Sequence, residues 1–433
     1  MSGDLTLTER LLALWNHLGL TKAHIATQIP GSVAGLIQAS PDRVAGLLFN
    51  EPIGFDPAAF QGVAERVVIL SGDGGISAQV AASAHAFLPQ SRRVILSNYA
   101  QPIWADHVRD HTETVVEVLA SLPGNAADTN LTAGQGLIAG ISYDIQGSGP
   151  ALVLFPLFLA PTQWDAAIPT LTQRFTVIRL GGAYLGGMAL LEDRARSPSY
   201  AGMVRTLHDI INPAPGETML EIGCGSGALS RLAAARDGIG TVTASDINPF
   251  LLREAAALAG QAGLAERMEF REANAEQLPF ADGSFDHAFS VTVLEECHAD
   301  LALREFARVI KSGGRLGVIV RAIDLPFYWH VDLPASLRQK VDPAPQLVAP
   351  HGIADRSLYR RVLEAGFDLL HCFPSTPSFI GPATPFWDYM AGRAEARLDA
   401  DELAVWRAAV TASAAEGTLF VTCPHHCVVA VKR

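Results

Sequence analysis

The stretch 217–234, ETMLEIGCGSGALSRLAA, predicts the architecture of the second half of the chain. A short apolar run ends at Glu221, and Gly223, Gly225 and Gly227 then lead into a helix-forming segment. Glycine suits a turn whose backbone adopts positive φ or approaches a ligand closely. The start of a helix offers unpaired N–H groups and a partial positive charge. We therefore expect a strand, a glycine turn and a helix that together hold a cofactor.

The following residues matter because a glycine turn alone is weak evidence for a nucleotide site. The run TVTASDIN places Asp246 at the end of the next apolar strand. A carboxylate at that position can accept hydrogen bonds from both hydroxyls of a ribose. Further on, NAEQLPF forms a polar turn, and RVIKSGG precedes another apolar strand. Strands that alternate with helices in this way predict a parallel sheet covered on both faces.

With LEIGCGSG, NAEQLPF and RVIKSGG in this order, residues 195–433 resemble a class I S-adenosylmethionine-dependent methyltransferase of the ubiquinone/menaquinone-biosynthesis-like group. The closing stretch GTLFVTCPHHCVVAVKR (417–433) resembles the final antiparallel hairpin of that group. The resemblance implies an enzyme with S-adenosylmethionine as cofactor and a Rossmann-like seven-stranded sheet ending in that hairpin. It also implies methyl transfer to a small-molecule acceptor by in-line displacement.

The resemblance also assigns cofactor contacts by position in the motifs. It implies contacts at Glu221, Gly223, Gly225, Gly227, Asp246, Ile247, Asn274, Ala275 and Ser290. Asp246 would hold the ribose diol, Ile247 would pack on the adenine, and the Ala275 N–H would bind the ring. The family usually has Asp where this chain has Asn274, so the hydrogen bond to the adenine amino group would lose its charge.

Methyl transfer from a sulfonium depends on alignment and on exclusion of water, and it needs a general base only if the acceptor must lose a proton. Glu295, His298 and His330 are the candidate bases. The two histidines also fit surface or capping positions. Glu295 equally fits the start of a helix, where carboxylates are favoured by the helix dipole.

Aromatic residues near the carboxyl edge of the predicted sheet suit an apolar or aromatic acceptor. Tyr328, Trp329 and Trp387 are the candidate acceptor contacts, although a tryptophan is more often a packing residue. The segment 374–416 is expected to form an inserted lid. The stretch CPHHC (423–427) offers soft metal ligands, but alternate residues of a strand face opposite sides, so we expect no metal site.

The first half, residues 1–182, resembles an α/β-hydrolase whose two parts occur in reversed order. The elbow of that family reads Gly-x-Ser-x-Gly, whereas this chain has ATQIPG with Ile29 in place of the nucleophile. Gln101 replaces the histidine base, and Pro156 begins the expected oxyanion loop. Without nucleophile and base, the triad mechanism is excluded. We therefore predict a circularly permuted, catalytically dead domain with a linker at 123–136.

Composition agrees with two α/β domains, 1–182 and 183–433, in a chain of 433 residues. The net charge of −12 argues against nucleic acid as a partner. Five scattered cysteines, no recognisable signal peptide and no long apolar span indicate a cytoplasmic protein without a membrane span. The first domain is expected to be structural, dimerising or substrate-shielding. The alternative is a non-catalytic S-adenosylmethionine-binding protein whose first domain docks a partner.

Overall fold

The computed structural model describes residues 5–101, 103, 105–342, 348–382, 384–395 and 397–433. The chain divides into two units, one of Met1–Leu190 with Asp388–Leu403 and one of Leu191–Trp387 with Ala404–Arg433. The division therefore falls a few residues after the predicted boundary at 182/183, and the middle of the predicted lid groups with the first unit. None of the described helices is long and apolar enough to cross a membrane.

The first unit contains one mixed sheet, whose described strands come from both of its sequence halves. The strands are β1 (Ala23–Thr27), β2 (Val44–Asn50), β3 (Val67–Gly72), β4 (Arg92–Leu96), β5 (Asp128–Thr129), β6 (Gly134–Ile138), β7 (Ile141–Gly147), β8 (Gly149–Leu154) and β9 (Thr176–Gly181). They follow the order β4-β3-β2-β1-β8-β9-β7-β6, and β5 pairs with β8. The parallel strands β1 and β8, with Ile25 opposite Val153, join the two halves.

One apolar run of the first unit contains a turn between two strands. The apolar run 138–144 forms the end of β6 and the start of β7, which pair antiparallel. Ala139 and Gly140 both adopt positive φ, 50° and 79°, so the chain reverses between the two strands. Apolar content alone does not reveal such a turn, because alanine seldom adopts this conformation.

Helices cover both faces of the first sheet. They are α1 (Leu7–His17), α2 (Gly31–Ala39), α3 (Gly75–Phe87), α4 (His107–Asp110), α5 (Thr112–Ala120), α6 (Ile168–Leu171) and α7 (Gly186–Arg196), the last of which crosses into the second unit. Thr6 starts α1 through a capping box with Glu9. Trp15 anchors the buried core on one face of the sheet and Trp164 the core on the other.

The second unit contains a seven-stranded sheet and a small three-stranded sheet. Their strands are β10 (Met219–Ile222), β11 (Val242–Asp246), β12 (Met268–Glu272), β13 (Phe285–Val291), β14 (Ile310–Arg321), β15 (Tyr328–Trp329), β16 (Phe367–Ser375), β17 (Ser378–Ile380), β18 (Phe420–Thr422) and β19 (His425–Lys432). The large sheet has the order β12-β11-β10-β13-β14-β19-β16, and the small one β15-β18-β17. The α/β fold class and the seven-stranded sheet are confirmed.

The final strand is antiparallel, but its predicted hairpin partner is wrong. Strand β19 pairs antiparallel with β14 and with β16. The run expected to form the other arm of the hairpin, 418–423, supplies β18 of the small sheet. Cys423 and Pro424 therefore connect two different sheets.

The remaining helices belong wholly or in part to the second unit. They are α8 (Pro198–Ile211), α9 (Ala228–Ala234), α10 (Pro249–Gln261), α11 (Ala299–Val309), α12 (Ala335–Val341), α13 (Leu358–Glu364), α14 (Pro385–Glu395) and α15 (Ala400–Ala415). The segment 191–211 is shared between α7 and α8. Pro198 disfavours helical backbone at the residue before it, and Ser197 caps the new helix through its hydroxyl.

Candidate functional site

The glycine turn lies at the carboxyl end of β10. Strand β10 is hydrogen-bonded to β11 on one side and to β13 on the other, so the strand order reverses at this point. Open α/β sheets bind ligands in the crevice outside such a switch point. Gly223, Gly225 and Gly227 have φ values of 76°, 53° and 70°, and Gly227 is the N-cap of α9.

Packing also requires these glycines. A Cβ on Gly223 would lie 2.2 Å from Cγ2 of Val293, and one on Gly225 would lie 2.7 Å from Cδ1 of Leu191. Both distances are far below ordinary van der Waals contact. The motif thus has a structural reason in addition to any contact with a cofactor.

Asp246 connects the second strand of the motif to the glycine turn. Its Oδ2 accepts a hydrogen bond from the N–H of Gly225 at 2.8 Å, and its Oδ1 accepts one from Asn248 at 2.9 Å. Burial raises the pKa of this carboxyl, and the backbone hydrogen bonds act in the opposite direction. Each carboxylate oxygen has two lone pairs, so each can still accept a further hydrogen bond, as a ribose diol requires.

An apolar surface and a polar turn lie beside this carboxylate in sequence. The side chain of Ile247 is 65% exposed, which is unusual for isoleucine and leaves a face on which a planar ring can pack. Asn274 is exposed, and its Oδ1 accepts a hydrogen bond from the N–H of Glu276 at 2.9 Å. Ala275 lies between them, partly buried against the core. The residues present therefore fit an adenine.

Two further predicted cofactor residues are engaged within the turn itself. Glu221 is 1% exposed, and its Oε2 accepts a hydrogen bond from the hydroxyl of Ser230, which ties β10 to α9. Burial raises the pKa of Glu221 to about 8. The Ser290 hydroxyl, fully buried, donates to the carbonyl of Ile222 at 2.9 Å. These side chains support the turn, and direct contact with a cofactor stays a prediction for both.

A buried ion pair that the sequence did not single out braces the same turn. Arg231 of α9 forms a bidentate pair with Glu192 of α7, at 2.7 and 2.8 Å. Its other nitrogen donates to the carbonyl of Ser226 at 2.9 Å. The charged run LEDRAR, which contains Glu192, indicated that an ion pair could form here. The sequence did not show that Arg231 would be the partner of Glu192.

Among the predicted bases, Glu295 is the one buried at the carboxyl edge of the sheet. It has 0% exposure, and its Oε1 accepts hydrogen bonds from the backbone N–H of Arg321 at 2.7 Å and from Nε of Arg321 at 3.3 Å. Its Oε2 has no hydrogen-bond partner among the described residues. Burial raises its pKa. The alternative role at a helix start is wrong, because α11 begins only at Ala299.

The two candidate histidines lie in different surroundings. The backbone N–H of His298 donates to Oε1 of Glu276 at 2.8 Å, and its ring stacks on His351 at 4.6 Å. The ring of His330 stacks on Phe420, in the small sheet, at 4.8 Å. The structure does not bring these histidines together, and their roles as bases stay predictions.

The candidate acceptor contacts differ in exposure. Tyr328 is 50% exposed, whereas Trp329 and Trp387 are 2% and 3% exposed. The two indoles meet edge to face at 5.4 Å, and Nε1 of Trp329 donates to the carbonyl of Val341 at 3.2 Å. Both tryptophans therefore form part of a packed aromatic core, which favours the packing alternative over acceptor contact.

Sequence reasoning did not single out Tyr200, whose hydroxyl is buried without a hydrogen-bond partner among the described residues. The guanidinium carbon of Arg194 lies 5.0 Å from the centre of its ring. The ring of His425 lies edge-on to Tyr200 at 5.8 Å. The sequence feature that could have pointed to Tyr200 is its position, as an aromatic residue in the helix just before the glycine motif.

The CPHHC stretch shows no arrangement suited to a metal ion. Nδ1 of His425 lies 2.8 Å from the carbonyl of Cys423, whereas Nε2 of His426 lies 2.8 Å from Asp324. Across the described part of the chain, no group of three or more His, Cys, Asp or Glu side chains is placed to hold a metal.

In the first unit, the side chain of Gln28 in the predicted elbow forms hydrogen bonds through both its oxygen and its nitrogen. Oε1 of Gln28 accepts a hydrogen bond from the N–H of Phe158 at 2.7 Å, and Nε2 donates to the carbonyl of Ile103 at 2.9 Å. The next two residues are Ile29 and Pro30, and proline has no N–H to offer to an oxyanion. A backbone donor that could stabilise negative charge at the elbow is thus already occupied.

A protein-family model described as a methyltransferase domain matches residues 220–318. An uncharacterised protein of Mycobacterium tuberculosis is 37% identical over 136 residues, which cover 31% of this chain and 47% of that protein. A ubiquinone/menaquinone biosynthesis C-methyltransferase of Brucella anthropi is 39% identical over 123 residues, covering 27% and 47%. A putative methyltransferase structure from Bacillus halodurans has a TM-score of 0.37 at 18% identity, covering 53% of this chain and 99% of that one. The chain thus spans about half the length of the curated relatives it matches.

Proposed function

We propose that this chain, whose residues 220–318 form a methyltransferase domain, transfers a methyl group from S-adenosylmethionine to a small-molecule acceptor. The observation that carries the proposal is the carboxylate of Asp246, fixed on the Gly225 N–H at the switch point of the sheet. That arrangement combines a rigid glycine turn with a carboxylate that retains lone pairs for a ribose.

The residues of the turn would hold the cofactor in parts. Gly223 and Gly225 bring the backbone close to the methionine and ribose portion, and Asp246 accepts hydrogen bonds from the ribose hydroxyls. Ile247 covers one face of the adenine, while Asn274 and the Ala275 N–H meet its edge. When bound, S-adenosylmethionine supplies a methyl group on a positively charged sulfur that leaves as a neutral thioether. The protein has therefore mainly to align the acceptor and exclude water.

The acceptor would approach from the carboxyl ends of β13 and β14. Thr292, the residue after β13, has a φ of 56°, a conformation that a β-branched residue adopts only under strain. Such strain is concentrated at functional sites, which supports placing the acceptor here. If the acceptor must lose a proton, Glu295 is the base we propose, because one of its oxygens is held by Arg321 and the other has no partner within the described part of the chain.

The names of relatives leave the acceptor atom open. One matching protein is a C-methyltransferase, and another, of Aspergillus sclerotiorum, 34% identical over 125 residues, is an O-methyltransferase. We propose an apolar or aromatic acceptor, since Tyr328 of the small sheet is half-exposed and its ring lies 6.2 Å from that of Phe420.

For the first unit we propose a permuted α/β-hydrolase-like domain without hydrolase activity. Numbered from β6, with β5 left out, its strands run 1-2-4-3-5-6-7-8 along the sheet, as one domain whose sequence halves were exchanged. Ile29 at the elbow and Gln28 on the Phe158 N–H support the absence of a triad mechanism. Its role would be structural, dimerising or shielding of the substrate.

Isothermal titration with S-adenosylhomocysteine tests the proposal. We expect stoichiometric binding, and folded protein that does not bind would overturn it. Formation of S-adenosylhomocysteine from S-adenosylmethionine in the presence of phenols, amines and quinols then separates an enzyme from a protein that only binds the cofactor. Light scattering on the purified chain tests the dimer.

A further inference from the structure

Several fully buried side chains of the second unit have a hydrogen-bonding atom that no described residue satisfies, and two of them are linked through the neighbouring residues Arg321 and His425. One is the hydroxyl of Tyr200, and the other is Oε2 of Glu295. Both side chains have 0% exposure. An unpaired buried polar atom is costly, and native proteins seldom keep one without a ligand or a water to meet it. Two of them near the end of the same sheet point to a shared partner.

Contacts between neighbours place the two atoms in one cluster. Arg321 holds Oε1 of Glu295 through its backbone N–H and Nε, and it lies opposite His425 in the register of β14 and β19. The ring of His425 is 5.8 Å from that of Tyr200. Burial raises the pKa of Tyr200 to about 12, and the charges of Glu295 and Glu221 act in the same direction.

The cluster also borders the glycine turn. Glu221 is the last residue but one of β10, two residues before Gly223 and its turn. Glu295 follows β13, the strand hydrogen-bonded to β10, within a few residues of its end. Glu295, and Tyr200 through His425 and Arg321, therefore lie at the end of the sheet from which an acceptor would approach a cofactor held in the turn.

We infer that Tyr200 and Glu295 form the polar end of the acceptor site and select an acceptor that presents a hydroxyl group. The inference rests on the proposed methyltransferase function. A tyrosine hydroxyl donates and accepts, whereas an ionised carboxylate only accepts. A hydroxyl satisfies both, because it donates to Oε2 of Glu295 and accepts from Tyr200 through one lone pair, and its second lone pair stays free to take the methyl group.

Other acceptor classes fit this pair poorly. An acceptor that offers only C–H or thioether groups at this position would leave both buried atoms unpaired. A carboxylate would bring a second negative charge close to Glu295, whose own charge is already opposed by burial. A permanently bound water would satisfy the same atoms, and it is the competing explanation.

Phenol and toluene form a matched pair of probes, since they share a ring and differ in one hydroxyl. Their dissociation constants are measured by saturation-transfer NMR on the full chain saturated with S-adenosylhomocysteine. We expect phenol to bind about tenfold more tightly than toluene, the effect of satisfying a buried hydrogen-bonding group. Tyr200→Phe and Glu295→Gln should each reduce the ratio to about threefold or less, with S-adenosylhomocysteine affinity changed by less than about twofold.

Tyr359→Phe is the control, because this tyrosine lies on α13 and its hydroxyl contacts His426. It should keep the full preference for phenol. Equal binding of phenol and toluene to the unaltered chain, or a preference that survives in Tyr200→Phe, would overturn the inference in favour of a trapped water. Tyr200→Phe keeps the ring and removes a group without a partner, so we expect it to fold with undiminished thermal stability. If the unaltered chain fails to bind S-adenosylhomocysteine, the proposed function itself has failed.

Discussion

Oδ2 of Asp246 and the backbone N–H of Gly225 are joined by a hydrogen bond of 2.8 Å, so the carboxylate and the glycine turn hold each other in place. The other oxygen accepts from Asn248 at 2.9 Å. One side chain thus fixes the turn, and we propose that it also holds the ribose. Its loss should be visible both in cofactor binding and in stability.

We predict that Asp246→Ala weakens the binding of S-adenosylhomocysteine at least about tenfold, because a hydrogen bond to a charged group contributes ~1.5–3 kcal/mol. The free energy of unfolding should fall by ~1–3 kcal/mol, since the N–H groups of Gly225 and Asn248 lose their acceptors. Titration calorimetry and urea unfolding measure the two effects. Asp368→Ala removes an exposed carboxylate paired with Arg433 and should change neither. Unchanged binding in Asp246→Ala would show that this carboxylate does not hold the cofactor.

Two glycines with positive φ allow backbone strain to be separated from steric overlap. Gly225 and Gly238 have φ values of 53° and 77°. A Cβ added at Gly225 would lie 2.7 Å from the side chain of Leu191, whereas a Cβ added at Gly238 would have its nearest neighbour at 3.7 Å. We predict that Gly238→Ala costs ~1 kcal/mol of unfolding free energy. Gly225→Ala should cost ~1–3 kcal/mol more, from overpacking. Equal losses in urea unfolding would contradict the packing account.

This comparison also limits what a bulky substitution at Gly225 can test. The sequence suggests Gly225→Val as a variant that blocks the cofactor and leaves the fold intact. The contact with Leu191 means that valine would disturb the turn as well. Asp246→Ala, compared with its exposed control, is the sharper variant.

The seven-stranded sheet could be predicted because each buried parallel strand leaves a short, continuous apolar run, and the glycine motif marks where the first one ends. The strand that pairs with the final strand could not be predicted. The runs 367–373 and 418–423 are both apolar, and a short connection favours the nearer one. Strand β16 pairs with β19 instead, a choice that depends on contacts distant in sequence.

The order of the motifs was enough to choose candidate cofactor residues, but it was not enough to choose candidate acceptor residues. Exposure separates Tyr328 from the buried Trp329, although both belong to the same aromatic run. The unpaired hydroxyl of Tyr200 is a property of its surroundings, and no pattern in the sequence encodes it. The hydrogen bond between Gln28 and Phe158 could not be predicted either, because it joins residues 130 positions apart.

We predict that Ile29→Ser does not restore hydrolysis in the first unit. A serine at the elbow would lack a histidine base, since the expected position holds Gln101, and the N–H of Phe158 is occupied by Gln28. A fluorophosphonate probe should leave the variant unlabelled, and cleavage of p-nitrophenyl acetate should remain at the rate of the unaltered chain. Labelling of the variant above the level of its heat-denatured form would show that a functional base and oxyanion site persist.

His208 should make stability depend on pH. It has 0% exposure, lies edge-on to Phe289 at 4.6 Å, and neither ring nitrogen has a partner among the described residues. Burial lowers its pKa from 6.5 to about 3. Below pH 6.5, therefore, His208 binds a proton in the unfolded chain but stays neutral in the folded chain. The free energy of unfolding then decreases as pH falls, by up to ~1.4 kcal/mol per pH unit.

We predict that His208→Leu raises the free energy of unfolding by ~1–2 kcal/mol at pH 7.5, because it removes a buried polar group without a partner. The gain should grow as pH falls from about 6.5 towards 4.5, since leucine has no proton to take up in the unfolded state. Urea unfolding at a series of pH values measures both effects. His371→Leu, at an exposed position of β16, is the control and should show no such growth. If the difference between His208→Leu and the unaltered chain is independent of pH, the imidazole is not held neutral in the folded protein.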